Sequence, residues 1–267
     1  MRDEKLMARK NIFRLPLWGK VTTWCQTAGE AAYLFWETLK YGFRKPYEFR
    51  SLLAQMDELG VRSLPIVLVF SFFVGMVLAI QVAYSEANFA GRVMVGIGVG
   101  VAMTREFGPL LTALLVGGRV VSGITSVLGS MSVTEQVDAI RLLGASPAKK
   151  LVFPRIWATV LTMPFLTVIA DFVGILGGLV VSVMDIHMSV TTYMSQVERS
   201  VSIGDLVEGM FKSMWFGFFI SLIGCYLGIR VTGGAEGVGR ATTKAVVWSS
   251  ISVVVIDFVL TKLLVIL

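Results

Sequence analysis

Long runs of apolar residues, separated by short polar segments, dominate the sequence after residue 63. Four runs are clear, at about 64–84, 156–183, 207–229 and 246–267. Each is close to or above the roughly 20 residues that a helix needs to cross a bilayer. The pattern therefore predicts an all-α integral membrane protein whose spans are these apolar runs.

The apolar region 93–128 has two interpretations. As one helix its 36 residues would measure roughly 54 Å, whereas the hydrocarbon core of a bilayer is about 30 Å thick. Its first half contains Arg105, Glu106, Gly108 and Pro109. The region predicts either two short spans or one long span bent at Gly108-Pro109.

The distribution of Lys and Arg favours one span in this region. With one span, the segments 1–63, 129–155 and 230–245 share a side and carry 18 basic residues, against only Arg92 and Arg199 opposite. With two spans the ratio falls to 13 against 8. Because basic residues are enriched in cytoplasmic loops, we expect five spans, a cytoplasmic N-terminus and a periplasmic C-terminus.

The composition agrees with a membrane protein, since 55% of the residues are hydrophobic and only 16% are charged. The net charge of +6 comes from basic residues beside the spans, which indicates membrane topology rather than nucleic-acid binding. Cys25 and Cys225 lie far apart and form no disulfide framework or zinc motif. We expect His187, in the predicted outer loop 184–206, to lie at the membrane interface rather than bind metal.

The N-terminal region 1–62 predicts amphipathic helices ahead of a five-span domain at 63–267, with no cleavable signal peptide. One helix covers 17–43, and a second begins at Pro46 and ends at Gly60. Their Trp, Phe and basic residues favour a position at the membrane interface. A soluble helical hairpin is the alternative.

A polar segment between the second and third spans has the signals of a short helix. Ser132 and Glu135 have the spacing of a capping box, Gly144 supplies a C-terminal stop and Pro147 follows. We therefore predict a cytoplasmic helix at about 132–147. It is either a docking element for a cytosolic partner or a plain connector, although a connector needs only a few residues.

Several motifs recur in the order and spacing of one known family. TREFGPLLTALLVGGRVVSGITSVLGSMSVTEQVDAIRLLGASP (104–147) is followed by PRIWA (154–158), DFVGILGG (171–178), FKSMWFG (211–217), GVGRATTKAVVWSS (237–250) and DFVLT (257–261). From about residue 60 onward the chain thereby resembles the MlaE/YrbE permease family. Members are membrane subunits of ABC transporters that move lipids between bacterial membranes. The resemblance implies an inner-membrane permease that moves glycerophospholipids and maintains lipid asymmetry.

The resemblance also implies that 132–147 is a coupling helix seated on cytosolic ABC ATPase subunits. The residues expected at this contact are Ser132, Glu135, Gln136, Asp138, Arg141, Leu142, Gly144 and Pro147. The sequence has no G-x-x-x-x-G-K-[ST] phosphate loop, so we expect the partner ATPase to bind ATP and Mg²⁺. We expect no catalytic residue or metal site in this chain. A periplasmic MCE-domain protein and a small STAS-domain regulator are further partners that the resemblance implies.

Charged residues inside spans are costly and indicate paired or functional positions. By the resemblance, Arg105, Glu106, Gly108, Pro109 and Lys212 belong to a central cavity that receives lipid. A cation beside apolar walls suits a phosphate headgroup and its acyl chains. The alternative is structural ion pairing between the second and fourth spans, and a Glu106–Lys212 pair would be compatible with both roles.

Other charged residues in the spans have simpler predicted roles. Glu208 lies within i,i+4 reach of Lys212. We expect Arg119 to bind a neighbouring helix or carbonyl groups, and Asp171 and Asp257 to cap helices or form interhelical hydrogen bonds.

Three pairs of glycines have the small-xxx-small spacing that lets membrane helices approach closely. They are Gly96 and Gly100, Gly174 and Gly178, and Gly224 and Gly228. Because five spans enclose a lipid-sized cavity with difficulty, we expect two copies around a shared axis, in agreement with the family's homodimers.

The sequence thus predicts a homodimeric permease subunit of an ABC lipid transporter. Two other classes stay open. One is an ion-coupled secondary transporter of a hydrophobic substrate, which the odd span count and the lack of an inverted repeat disfavour. The other is a non-transporting membrane scaffold.

Overall fold

The computed structural model describes residues 29, 30, 36, 38, 40, 49–85 and 94–266, and these contain no strand. The helices discussed below are α1 (Phe49–Leu59), α2 (Leu64–Ser85), α3 (Val95–Ala102), α4 (Gly108–Val133), α5 (Gln136–Leu142), α6 (Phe153–Met184), α7 (Val190–Ser200), α8 (Ile203–Ile229) and α9 (Gly234–Ile266). A 3₁₀ turn at Val61–Ser63 joins α1 to α2, and π-helical turns at Met103–Phe107 and Ala148–Val152 precede α4 and α6. The predicted helix 17–43 falls mostly outside the described residues.

Within the described residues, five helical segments are long and apolar enough to cross a membrane. They are Phe49–Tyr84, Val95–Val133, Ala148–Met184, Ile203–Ile229 and Gly234–Leu264. The region with two interpretations therefore forms one long segment, built from α3, a π-helical turn and α4. The predicted number of spans is confirmed, and the chain is a multi-pass membrane protein.

The spans pack around α8, which contacts α4, α6 and α9, while α2 packs along α6. The centre of this bundle is apolar and includes Ile124, Met163, Phe216 and Ile220, all essentially inaccessible. The outer faces are apolar too, as at Phe258 on α9. This is expected in a bilayer, because lipid tails solvate apolar side chains as well as the protein interior does.

The described part of the second predicted amphipathic helix is α1, which ends at Leu59, and the Gly60 amide donates to the Met56 carbonyl oxygen. Its residues Leu52, Met56 and Leu59 pack against the core, whereas Phe49 is exposed. The protein-facing side of α1 lies along α6. This helix is therefore anchored to the bundle by one apolar face.

Glu30 connects the N-terminal region to the end of α8. Its Oε2 atom accepts hydrogen bonds from the Tyr226 hydroxyl at 2.8 Å and from Arg230 Nη1 at 2.6 Å. These two hydrogen bonds hold the pKa of Glu30 below its ordinary value, and the one from Tyr226 has the larger effect.

The segment 184–206 contains a helix that the sequence analysis missed. Ser189 caps α7 by accepting a hydrogen bond of 3.1 Å from the Thr192 amide. Tyr193 is fully buried, and its hydroxyl donates to the Ile175 carbonyl oxygen at 3.0 Å. Burial raises the pKa of this phenol. His187 lies exposed just before α7 with a positive φ of 57°. The predicted outer loop thus folds back onto the bundle.

Candidate functional site

The π-helical turn Met103–Phe107 occurs where the second span carries Arg105 and Glu106. Pro109 has no N–H, so it cannot donate to the Arg105 carbonyl, which is its partner four residues earlier in an α-helix. That carbonyl oxygen instead accepts a hydrogen bond of 3.0 Å from Lys212 Nζ on α8. Proline at this position thus provides a backbone acceptor for a buried cation inside the membrane.

Lys212 is fully buried, and each of its three donor hydrogens has an acceptor. Besides the Arg105 carbonyl, Nζ donates to Glu106 Oε1 at 2.8 Å and to Thr261 Oγ1 at 2.9 Å. Glu208 Oε1, one turn earlier on α8, lies 3.5 Å away. The anticipated Glu106–Lys212 pair is therefore present. It belongs to a cluster that joins the second, fourth and fifth spans.

A pocket of about 470 Å³ lies beside this cluster. Its walls are formed by Val101, Ala102, Arg105, Glu106, Glu208, Thr261 and Leu264. The side chains of Arg105 and Glu106 are 51% and 38% exposed, whereas that of Lys212 is inaccessible. Arg105 is thus the cation that a molecule in the pocket would meet.

Asp205 orients Arg105, and the sequence analysis did not single it out. Arg105 Nε donates to Asp205 Oδ1 at 2.7 Å. Asp205 is fixed by a capping box at the start of α8, where Oδ2 accepts from the Ser202 amide at 2.8 Å and the Asp205 amide donates to Ser202 Oγ at 3.2 Å. The S-x-x-D spacing of 202–205 is the signal that would have revealed it.

Gly108 and Pro109, which were predicted for the cavity, are buried and do not line this pocket. Gly108 packs against Asp171 on α6, since a β-carbon at position 108 would overlap Asp171 Oδ1. Pro109 leaves the Arg105 carbonyl free for Lys212, as described above. Both residues affect the site without lining the pocket, because they set how closely α6 and α8 approach the π-helical turn.

The remaining charged residues of the spans differ in outcome. Arg119 donates to the Arg62 carbonyl oxygen and to Ser63 Oγ at 3.1 Å, as predicted for a contact with carbonyl groups. The Oδ1 atoms of Asp171 and Asp257 are buried and have no hydrogen-bond partner among the described residues. The predicted interhelical hydrogen bonds are therefore not formed at these two atoms.

The segment 132–147 is not one capped helix. The helix α4 continues to Val133, a turn follows, and α5 covers only Gln136–Leu142. The predicted capping box is wrong, because Glu135, with a φ of 58°, precedes α5 without any side-chain capping hydrogen bond.

Ser132 has a different partner from the one predicted. Its hydroxyl donates to the carbonyl oxygens of Ile229 at 3.0 Å and Val231 at 3.3 Å. The physical reason is that Ser132 still lies within α4, beside the C-terminus of α8, where helix carbonyls lack intrahelical donors. The serine therefore joins the α5 end of the second span to the fourth span.

The predicted stop at Gly144 is found. Gly144 has a φ of 76°, its amide donates to the Arg141 carbonyl at 3.0 Å, and the Ala145 amide donates to the Ile140 carbonyl at 3.1 Å. These two hydrogen bonds form a Schellman motif. The C-terminus of α5 is thus fixed by its own backbone.

The helix α5 presents most of the predicted coupling residues on its outer surface. Val137 is buried under it. The exposed residues are Glu135, Gln136, Asp138, Arg141, Leu142 and Gly144, whereas Ser132 and Pro147 are half-buried. Leu142 and its neighbour Leu143 are 90% and 84% exposed. Two adjacent leucines in this position form an apolar tip on an otherwise charged surface.

The predicted glycine pairs lie at contacts between helices. Gly96 and Gly100 face α7, Gly174 and Gly178 face Met103 and Val99, and Gly224 and Gly228 face α4. One of these glycines, Gly174, also takes part in a close backbone contact with α2. At Gly75 on α2, a β-carbon would lie 1.8 Å from the Gly174 carbonyl oxygen. The two spans can be this close only because glycine has no side chain.

Comparison with known proteins assigns the chain to a family. The sequence profile of the family described as Permease MlaE matches residues 52–263. This range contains all five spans except the ends of the first and last, and it includes α5 and every pocket-lining residue except Leu264. The chain belongs to the MlaE permease family. The match begins at Leu52, which is the fourth residue of α1.

Individual relatives agree with this assignment along nearly their whole length. A probable ABC transporter permease protein of Rickettsia felis is 38% identical over 238 residues, 89% of this chain and 92% of that protein. A probable ABC transporter permease protein of Synechocystis is 36% identical over 244 residues, 91% and 93% of the two chains. The intermembrane phospholipid transport system permease protein MlaE of Haemophilus influenzae is 33% identical over 248 residues, 92% and 94% of the two chains.

Proposed function

We propose that this MlaE-family permease is the membrane subunit of an ABC transporter that moves glycerophospholipids between the inner and outer membranes. The observation that carries the proposal is the pocket within the spans, where Arg105 and two carboxylates lie beside apolar residues. A lipid needs both kinds of wall, one for its headgroup and one for its acyl chains. The name of the Haemophilus relative, an intermembrane phospholipid transport permease, supports the same substrate class.

The energy of ATP hydrolysis would reach the permease through α5. The apolar tip Leu142–Leu143 and the ion-paired Asp138 and Arg141, 2.8 Å apart, form a compact surface for a cytosolic ATPase subunit. We propose that this partner binds ATP and Mg²⁺ and that the permease performs no covalent chemistry.

The pocket and α5 lie at opposite ends of the bundle. The second span connects them, because α4 runs from Gly108, beside the pocket, to Val133, just before α5. At 1.5 Å per residue this helix spans roughly 38 Å. Ser132 couples it to the end of α8, whose other half carries Lys212. A displacement of α5 by the ATPase would therefore move two of the three spans that line the lipid site.

The distribution of basic residues supports one orientation of the permease. We propose that α5 faces the cytoplasm, that the N-terminus lies on the same side, and that the C-terminus is periplasmic. Two copies of the chain would enclose the lipid path, and a periplasmic MCE-domain protein would extend it on the side of α7. A small STAS-domain protein would regulate the ATPase side, and the N-terminal helices would lie at the inner-membrane interface.

Reconstitution tests this function. The permease is purified with its ATPase and placed in vesicles, and the transfer of labelled glycerophospholipid to acceptor vesicles is measured. We expect transfer that requires ATP and stops with an ATPase subunit unable to hydrolyse it. Transfer driven by a proton gradient without the ATPase would show an ion-coupled transporter instead.

A further inference from the structure

The net charge around the pocket does not favour the binding of an anion. Two cations, Arg105 and Lys212, face three carboxylates, Glu106, Asp205 and Glu208, so the cluster carries one excess negative charge. A further carboxyl, Asp257, lies one turn before Thr261 on α9.

The cation predicted to bind a headgroup is not accessible. Lys212 is fully buried, and its three donors are used by Glu106, Thr261 and the Arg105 carbonyl. Among the described residues that line the pocket, Arg105 is therefore the one cation that a phosphate group can reach. The Nε atom of Arg105 binds Asp205, while its two terminal nitrogens have no hydrogen-bond partner among the described residues.

The accessible carboxylates offer acceptors for a cation. The side chains of Glu106 and Glu208 are 38% and 25% exposed at the pocket. In each, Oε1 faces Lys212, and within the described part of the chain Oε2 has no hydrogen-bond partner. An incoming group with N–H donors and a positive charge would satisfy these oxygen atoms.

We infer that the pocket selects zwitterionic lipids whose headgroup carries a primary ammonium next to its phosphate, as in phosphatidylethanolamine. The phosphate would bind the terminal nitrogens of Arg105, and the ammonium would bind Glu208 and Glu106. This inference rests on the proposed function, because it concerns the headgroup of the lipid that the pocket receives.

Two other headgroup classes fit less well. Phosphatidylglycerol would bring a net negative charge to a cluster that already has one in excess, and like charges repel strongly where water is scarce. Phosphatidylcholine has the positive charge, but its quaternary ammonium has no N–H to donate to the carboxylates.

The test measures which lipid the intact transporter retains. The complex of permease and ATPase is reconstituted in vesicles of equal parts phosphatidylethanolamine and phosphatidylglycerol, extracted, and analysed by native mass spectrometry. We expect bound phosphatidylethanolamine to exceed phosphatidylglycerol on the order of three- to tenfold, the effect of one partly exposed charge contact. A second mixture, with phosphatidylcholine in place of phosphatidylglycerol, tests the need for N–H donors.

Three variants separate the contributions. Glu208→Gln keeps the shape but removes the charge, so the preference for phosphatidylethanolamine should fall to near parity. Glu198→Gln, on the exposed surface of α7, is the matched control and should keep the preference. Arg105→Gln should reduce the binding of both lipids about equally, because both carry the phosphate.

The outcomes distinguish the headgroup inference from the function itself. Equal binding of phosphatidylglycerol by the unmodified complex, or an unchanged preference in Glu208→Gln, would overturn the headgroup selection while lipid binding stands. Equal binding of phosphatidylcholine would overturn the requirement for a primary ammonium. Retention of no lipid from either mixture would count against the proposed function as well.

Discussion

Lys212 Nζ lies 3.0 Å from the carbonyl oxygen of Arg105. In an α-helix this carbonyl would accept a hydrogen bond from the amide of residue 109, which is proline in this chain. The buried ammonium thus takes the hydrogen bond that Pro109 cannot make. Pro109 and Lys212, which are 103 positions apart in sequence, are thus linked through the carbonyl group of Arg105.

Replacing Pro109 with alanine introduces an N–H that competes with Lys212 for the Arg105 carbonyl. A buried charged donor that loses its acceptor costs about 1–3 kcal/mol, so we expect lipid transfer to fall about fivefold or more. The reconstituted transfer assay measures this. The control is Pro164→Ala in α6, a buried proline away from the pocket, which should transfer lipid at the normal rate. Equal rates for both variants would contradict the role of Pro109.

Removing the charge of Lys212 should destabilise the bundle, because Lys212→Met leaves Glu106 and Glu208 facing each other without a cation. We expect a loss of about 3 kcal/mol, seen as a lower midpoint in thermal unfolding of the detergent-purified protein. The double variant Lys212→Met with Glu106→Gln should recover much of this loss, since it removes both members of the closest pair. Lys262→Met, on the exposed face of α9, is the control and should leave the midpoint unchanged. A double variant less stable than the single one would argue against the ion pair.

The apolar tip of α5 should be required for binding the ATPase but not for folding. Leu142→Ser and Leu143→Ser together remove two exposed side chains, so the unfolding midpoint should stay within the range typical of surface changes, about 0.5 kcal/mol. Co-purification of the ATPase should fall at least tenfold, as expected for loss of contacts at the centre of an interface. Ile203→Ser is the matched control, because Ile203 is 82% exposed at the opposite end of the bundle. Full co-purification with the double variant would place the ATPase contact elsewhere.

The contact between α2 and α6 should tolerate no side chain at Gly75. In Gly75→Ala the new β-carbon would meet the backbone of Gly174, which cannot rotate away, so we expect a loss of about 1–3 kcal/mol. Gly118→Ala is the matched control within a span, because nothing lies within 4 Å of its β-carbon position. That change should be neutral or stabilise the helix by up to about 1 kcal/mol. Thermal unfolding of the two variants in the same detergent compares them directly, and similar midpoints would contradict the close packing.

Sequence patterning determined the architecture of the permease because the bilayer imposes a simple requirement. A helical spanning segment must be apolar and long enough, so the length of each apolar run identifies a span. The bias of basic residues resolved the region 93–128 as one span. Local signals with a strict backbone requirement were also readable, as at Gly144, where only a residue that accepts a positive φ can end α5 in this way.

Tertiary structure alone decided how the polar residues are used. Ser132 and Glu135 have the spacing of a capping box, yet Ser132 bonds to α8, because the neighbouring helix end offers unpaired carbonyl groups. Lys212 has the chemistry of a headgroup ligand, yet it is buried and its three donors are already used. Arg105 lines the pocket instead. The sequence shows which residues carry charge, but the partner of each charge depends on contacts between spans that are distant in sequence.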